Sequence, residues 1–197
     1  MSFINHAAGE LICKVVYFGT GMGGKTTNLQ YIYEHTQPNE QGKLVKLSSG
    51  NERTLFFDFL PLAIGGTRGY KTRFHLYTVP GQTFYETSQM FILKGVDGIV
   101  FVVDSQAERM EANIESYEHL ERTLERHGYN IHKIPFVFQY NKRDVPVAVS
   151  VKELEVTFNP LRKPFVEAIA NQGVGVMETL QEVSQWIIRE IKGGEKP

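Results

Sequence analysis

A chain of 197 residues, 42% of them hydrophobic and with a formal net charge of −1, is long enough for one well-filled core and has ordinary globular composition. The near-zero charge speaks against a general nucleic-acid binder or a polybasic membrane anchor. The lone Cys13 excludes an internal disulfide, and His6, His35, His75, His119, His127 and His132 fall at no zinc-ligand spacing.

The apolar run LICKVVYF (11–18) reads as a first strand, followed by a glycine-rich turn and a helix from Lys25 to His35. TLFFDFLPLAI (54–64) and KTRFHLYTV (71–79) are separated by GGTRGY, which predicts a hairpin. DGIVFVVDS (97–105) is apolar throughout its middle, as a strand covered on both faces must be. Met110, Ile114, Tyr117, Leu120 and Leu124 recur at helical spacing, and IPFVFQYNKRD (134–144) is a further buried strand ending in polar residues. A short helix and a last strand near PFVEAIA are expected over 150–175, and Met177, Leu180, Val183, Ile187 and Ile191 mark a closing helix. With no repeats or convincing linkers, residues 1–197 read as one α/β domain, a mostly parallel sheet covered by helices. No apolar run approaches a membrane span, the N-terminus lacks a secretory or myristoylation pattern, and KGGEKP is no prenylation signal. A cytoplasmic protein without a direct membrane anchor is expected, reaching a membrane only through a partner.

GTGMGGKTT follows the first strand, and its Gly19, Gly24, Lys25 and Thr26 match G-x-x-x-x-G-K-[ST]. Glycines let the backbone curl until successive N–H groups point at phosphate oxygens, and the helix N-terminus adds positive partial charge. Lys25 reaches the β- and γ-phosphates, the Thr26 hydroxyl can ligate Mg²⁺, and Thr27 continues the nucleotide-binding turn. Gly21 lies where a side chain would approach the γ-phosphate, while backbone fit accounts for Gly23. The bland alternative is a glycine-rich turn with Lys25 in solvent.

Asn141-Lys142-Arg143-Asp144 ends a strand, at the carboxyl edge where open α/β sheets bind ligands. An aspartate there accepts from guanine N1–H and the N2 amino group. Adenine has neither donor, and a buried charge left unpaired discriminates strongly. Asn141 and Lys142 would support the loop and cover the base plane, and the Ala170 region is a candidate backbone donor to guanine O6.

With these motifs in place, the chain resembles Ras-like small GTPases along nearly its whole length. More narrowly it resembles the bacterial MglA family of gliding and polarity GTPases, on RTLFFDFLP (53–61), KTRFHLYTVPGQ (71–82), LKGVDGIVFVVDS (93–105), QYNKRD (139–144) and NLQYIY (28–33). The resemblance implies a P-loop GTPase fold with a sheet of six to seven strands, one antiparallel edge pair and helices on both faces. It implies GTP/GDP and Mg²⁺ as ligands, a slow switch for polarity or motility, recruitment to a cell pole, and polarity or motility effectors. It also implies stimulation by an MglB-like roadblock-fold dimer. Thr54 is the implied first-switch ligand to Mg²⁺. Arg53 is the implied arginine finger supplied in cis, an effect typically of about 10³–10⁵ in rate; its plain alternative is an exposed loop arginine paired with Glu52. Gln82, after Gly81, stands where the water-positioning glutamine does. Phe56, Phe57, Phe59 and Leu60 are either an edge for a partner or a strand covered by helices.

Thr78 is the departure from the Ras-like pattern, occupying the place of a magnesium-associated aspartate. Its hydroxyl, or Asp58 on the neighbouring strand, would have to compensate, and Pro80 restricts the loop before Gly81. This substitution motivates the alternative of a GTP-binding scaffold with negligible turnover. A metabolic P-loop kinase fits poorly with NKRD and Gly81-Gln82.

Overall fold

The computed structural model describes residues 3–5, 9–36, 41–49, 52–59, 71–79 and 86–193, with side chains of 3–5, 41–49, 52–59 and 86–88 excluded. Strand β1 (Phe3–Asn5) is followed by β2 (Glu10–Phe18), helix α1 (Lys25–His35), β3 (Gln41–Ser49), β4 (Glu52–Phe59) and β5 (Lys71–Thr78). Then come α2 (Glu86–Leu93), β6 (Gly98–Asp104), α3 (Met110–Arg126), β7 (Phe136–Asn141), α4 (Val151–Phe158), β8 (Phe165–Glu167) and α5 (Val176–Ile191).

The strands form a single sheet in the order β3-β4-β5-β2-β6-β7-β8, with β1 against β2. The five strands β5, β2, β6, β7 and β8 run parallel. Successive residues of β2 point to opposite faces, and both faces are apolar because helices cover each. Cys13, Val15 and Tyr17 join Leu29 and Ile32 of α1 and Val183 and Ile187 of α5 on one side. Val16 and Phe18 join Leu93 of α2, Leu120 and Leu124 of α3 and Leu154 and Phe158 of α4 on the other. Every residue of β6 is buried, as its unbroken apolar run requires.

The expected count of six to seven strands with one antiparallel pair is corrected by the structure. The sheet has eight strands among the described residues, and β1–β2, β3–β4 and β4–β5 all pair antiparallel. Strand β1 has only three residues, too few to show a period. Strand β3, QGKLVKLSS, is rich in lysine and serine, and its backbone pairing with β4 overrides a weak pattern. Helix α2 also has no counterpart among the sequence expectations. The β4–β5 pairing agrees with the hairpin expected from GGTRGY, although residues 60–70, Gly65 and Gly66 included, lie outside the described residues.

Candidate functional site

The phosphate loop, the NKRD segment and the turn at Ala170 follow the C-terminal ends of β2, β7 and β8, the ligand-binding edge of a parallel sheet. Two glycines of the phosphate loop admit no side chain. Gly19 has φ 139° and an added Cβ would stand 2.3 Å from the Val102 carbonyl oxygen. Gly24 has φ 105° and a Cβ there would meet Asn141 Nδ2 at 2.1 Å. Gly23 needs no left-handed backbone, and its added Cβ would press on Thr20 O at 3.2 Å.

Lys25 is 6% exposed, and its Nζ donates to the carbonyls of Gly19 and Thr20, each at 2.7 Å. Gly24 caps α1 without a side-chain acceptor, so the first-turn N–H groups, those of Lys25, Thr26 and Thr27, present the open end of a helix dipole. An ammonium, a helix N-terminus and a curl closed to side chains make a donor set that fits a polyphosphate. Thr26, half-buried in that first turn, offers the hydroxyl oxygen that a hard cation such as Mg²⁺ takes alongside substrate phosphates.

Asn141 joins all three loops. Its Nδ2 donates to Gly23 O at 2.8 Å, and its Oδ1 accepts from Ala170 N at 2.9 Å. The Ala170 N–H thereby anchors its turn to the base-reading segment. Lys142 adopts φ 63°, and its Nζ reaches Asp104 Oδ2 at 2.5 Å and Gln106 Oε1 at 2.9 Å. Arg143 turns away, with Nε on Glu167 and Nη1 on the Val149 carbonyl. Asp144 is exposed and makes no hydrogen bond or ion pair among the described residues, so its carboxylate is open to a ligand.

Sequence reasoning missed several polar groups that hold these loops. Arg109 donates to Gly21 O at 2.8 Å and Thr20 Oγ1 at 3.0 Å, and Asp104 is wholly buried behind it. Nothing in the spacing of SQAERM points to the phosphate loop. The buried Asn28, Gln139 and Thr179 form a second network, with Asn28 Nδ2 also donating to Gly24 O at 3.0 Å. Here a signal existed, since Gln139 is a lone polar residue inside an apolar strand.

The switch candidates divide. Arg53 and Thr54 lie in β4, opposite Ser48 and Leu47, rather than in a loop. Because β4 runs antiparallel to β5 with Phe56 opposite Tyr77, its beginning lies at the sheet edge that carries the phosphate loop. Thr78 ends β5, is 1% exposed and pairs with Tyr17. Asp58 pairs with His75, three residues before Thr78 and so about 10 Å down the strand, which weighs against its replacing an aspartate there. Pro80, Gly81 and Gln82 lie outside the described residues.

Burial pushes the Cys13 thiol up to about 12, and desolvation lowers Lys163 to about 8. Lys163 also lines an open groove of about 670 Å³ between α4, β8 and α5, at the segment entering β8 rather than at the ligand-binding edge.

Comparison with known proteins places this geometry. The ADP-ribosylation factor family model matches residues 3–191. The mutual gliding-motility protein MglA of Myxococcus xanthus (strain DK1622) is 57% identical over 194 residues, covering 98% of this chain and 100% of that protein. The human and mouse ADP-ribosylation factor-like protein 4A are each 28% identical over 148 residues, covering 72% of this chain and 63% of theirs. A full-length relative at that identity, and a family match that spans both the phosphate loop and the NKRD strand, carry one conclusion: the chain belongs to the ADP-ribosylation factor family and is a small GTPase of the MglA kind.

Proposed function

We propose that the protein is a GTP/GDP switch controlling surface motility and cell polarity in a bacterium, with hydrolysis stimulated by an MglB-type roadblock dimer. The observation that carries the nucleotide part is the Asn141 bridge from Gly23 to Ala170, which fixes the base-reading segment against the phosphate loop. The motility part rests on the similarity to the gliding-motility protein of Myxococcus. In this reading the molecule is cytoplasmic, is brought to a pole by its partners, and presents its switch regions to motility effectors.

Asp144 accepts from guanine N1–H and the N2 amino group, and adenine leaves that carboxylate facing a lone pair. The stem of Lys142, held in place by Asp104, lies along the base. Lys25 exchanges its loop carbonyls for β- and γ-phosphate oxygens, and the amides from Gly19 to Thr27 complete the cradle. The Thr26 and Thr54 hydroxyls would hold Mg²⁺, which would supply charge to neutralise the phosphate oxygens. Thr78 can orient a neighbouring water only through its hydroxyl, without the charge of an aspartate. Gln82 positions the attacking water, and Arg53 places its guanidinium on the transferring phosphate when a partner rearranges the first switch. Hydrolysis is slow until then.

Single-turnover hydrolysis of GTP, with and without a roadblock dimer, tests this. The dimer is expected to accelerate the wild type. Arg53→Ala keeps GTP affinity within about twofold and loses most of the acceleration, by about 10³ if the guanidinium acts as a finger. A rate unmoved by saturating dimer overturns the partner reading, and equal loss of GTP binding in Arg53→Ala makes that residue structural.

A further inference from the structure

Arg109 ties the start of α3 to the phosphate loop from behind. Its Nη2 donates to Gly21 O at 2.8 Å and to Thr20 Oγ1 at 3.0 Å, while its Nε lies 3.9 Å from Asp104 Oδ2. Asp104 is fully buried and also accepts from Lys142 Nζ at 2.5 Å and from the Gln106 N–H at 3.2 Å. The guanidinium is thus braced by a fixed carboxylate on one side and spent on the loop on the other.

The consequence follows from peptide geometry. A trans peptide carries its C=O and the following N–H on opposite sides. Holding the Gly21 carbonyl toward Arg109 turns the Met22 N–H away from α3. Met22 itself sits at φ 61°, a conformation uncommon for a residue with a side chain, and the residue is 85% exposed. Packing of Met22 therefore does not fix this peptide, and among the described residues Arg109 is the side chain that grips it.

We infer that Arg109 is a positioning residue for the nucleotide: it fixes the Gly21–Met22 peptide so that the Met22 N–H faces the terminal phosphates, and through Asp104 it links that peptide to Lys142 of the base loop. This rests on the nucleotide reading above. Its larger effect belongs to the phosphates beyond the first, because Arg109 bonds the phosphate loop directly and meets the base loop one step removed, through Asp104.

The test compares GDP and GMP affinities of the wild type, Arg109→Ala and Arg109→Lys, together with dissociation of fluorescent GDP and the thermal midpoint of each protein. Arg109→Ala is expected to weaken GDP by about tenfold or more, the weight of a charge-assisted hydrogen bond, and GMP far less. The ratio of GDP to GMP affinity therefore falls, and labelled GDP leaves faster by a similar factor. Arg109→Lys restores part of the ratio, because one ammonium cannot span both Gly21 O and Thr20 Oγ1 as the guanidinium fork does. If Arg109→Ala does not fold, the reduced ratio in Arg109→Lys carries the inference. Equal weakening of GDP and GMP, or an unchanged ratio, overturns it. A wild type that binds no GDP overturns the nucleotide reading itself, an outcome separate from a wild type that binds while the variants behave as it does.

Discussion

Gly24 shows how one backbone angle carries the site. At φ 105° it begins α1, and a methyl there would collide with Asn141 Nδ2, the atom that donates to Gly23 O. Gly24→Ala combines backbone strain with displacement of the Asn141 bridge, so stability falls by about 2–4 kcal/mol in chemical denaturation. GTP affinity falls with it, because the bridge joins the base loop to the phosphate loop. A stable variant with unchanged affinity would remove the bridge from the account. The motif letters Gly19, Gly24, Lys25 and Thr26 were legible because phosphate chemistry demands them at that spacing. Which glycines are irreplaceable was not legible, since that depends on Val102 and Asn141, brought close only by the folded sheet. Ala170 was legible as an amide near the base loop, but not its partner Asn141, since that pairing joins residues 29 apart in sequence.

Helix α1, strand β7 and helix α5 are joined by polar bonds inside an apolar interior. Gln139 exchanges hydrogen bonds with Asn28 at 2.7 and 2.9 Å and donates to Thr179 Oγ1 at 2.9 Å. Gln139→Leu leaves Asn28 buried with lost partners, at a cost of about 2–3 kcal/mol, whereas replacing Asn28 by Leu as well recovers a large part. Denaturation midpoints of the single and double variants check this; full additivity of the two losses would mean that the pair does not act as a unit. Elements with an unbroken apolar run or an apolar period, such as β6 and α5 respectively, could be placed from their letters because burial imposes both patterns. Strand β3 could not, because QGKLVKLSS carries a weak pattern of its own and is extended through its pairing with β4. Arg53 and Thr54 were expected beside a loop for the same reason, and the pairing with β3 draws them into the strand.

Across the whole molecule, the parallel block aligns the ends of β2, β7 and β8, so that motifs far apart in sequence converge on one edge. That convergence was legible because both motifs follow strands, and parallel order leaves a single edge for them. The supporting residues Arg109 and Asp104 were not, since their roles depend on how α3 docks on the sheet. The most direct measurement of the central claim is competition of GTP and ATP for the wild type and Asp144→Asn. The wild type is expected to bind GTP with ATP competing poorly. Asp144→Asn loses GTP affinity by roughly a hundredfold, since it gives up a carboxylate that accepts two donors. ATP competing equally with GTP, or undiminished GTP binding by Asp144→Asn, would contradict the assignment of this edge as a guanine-nucleotide site.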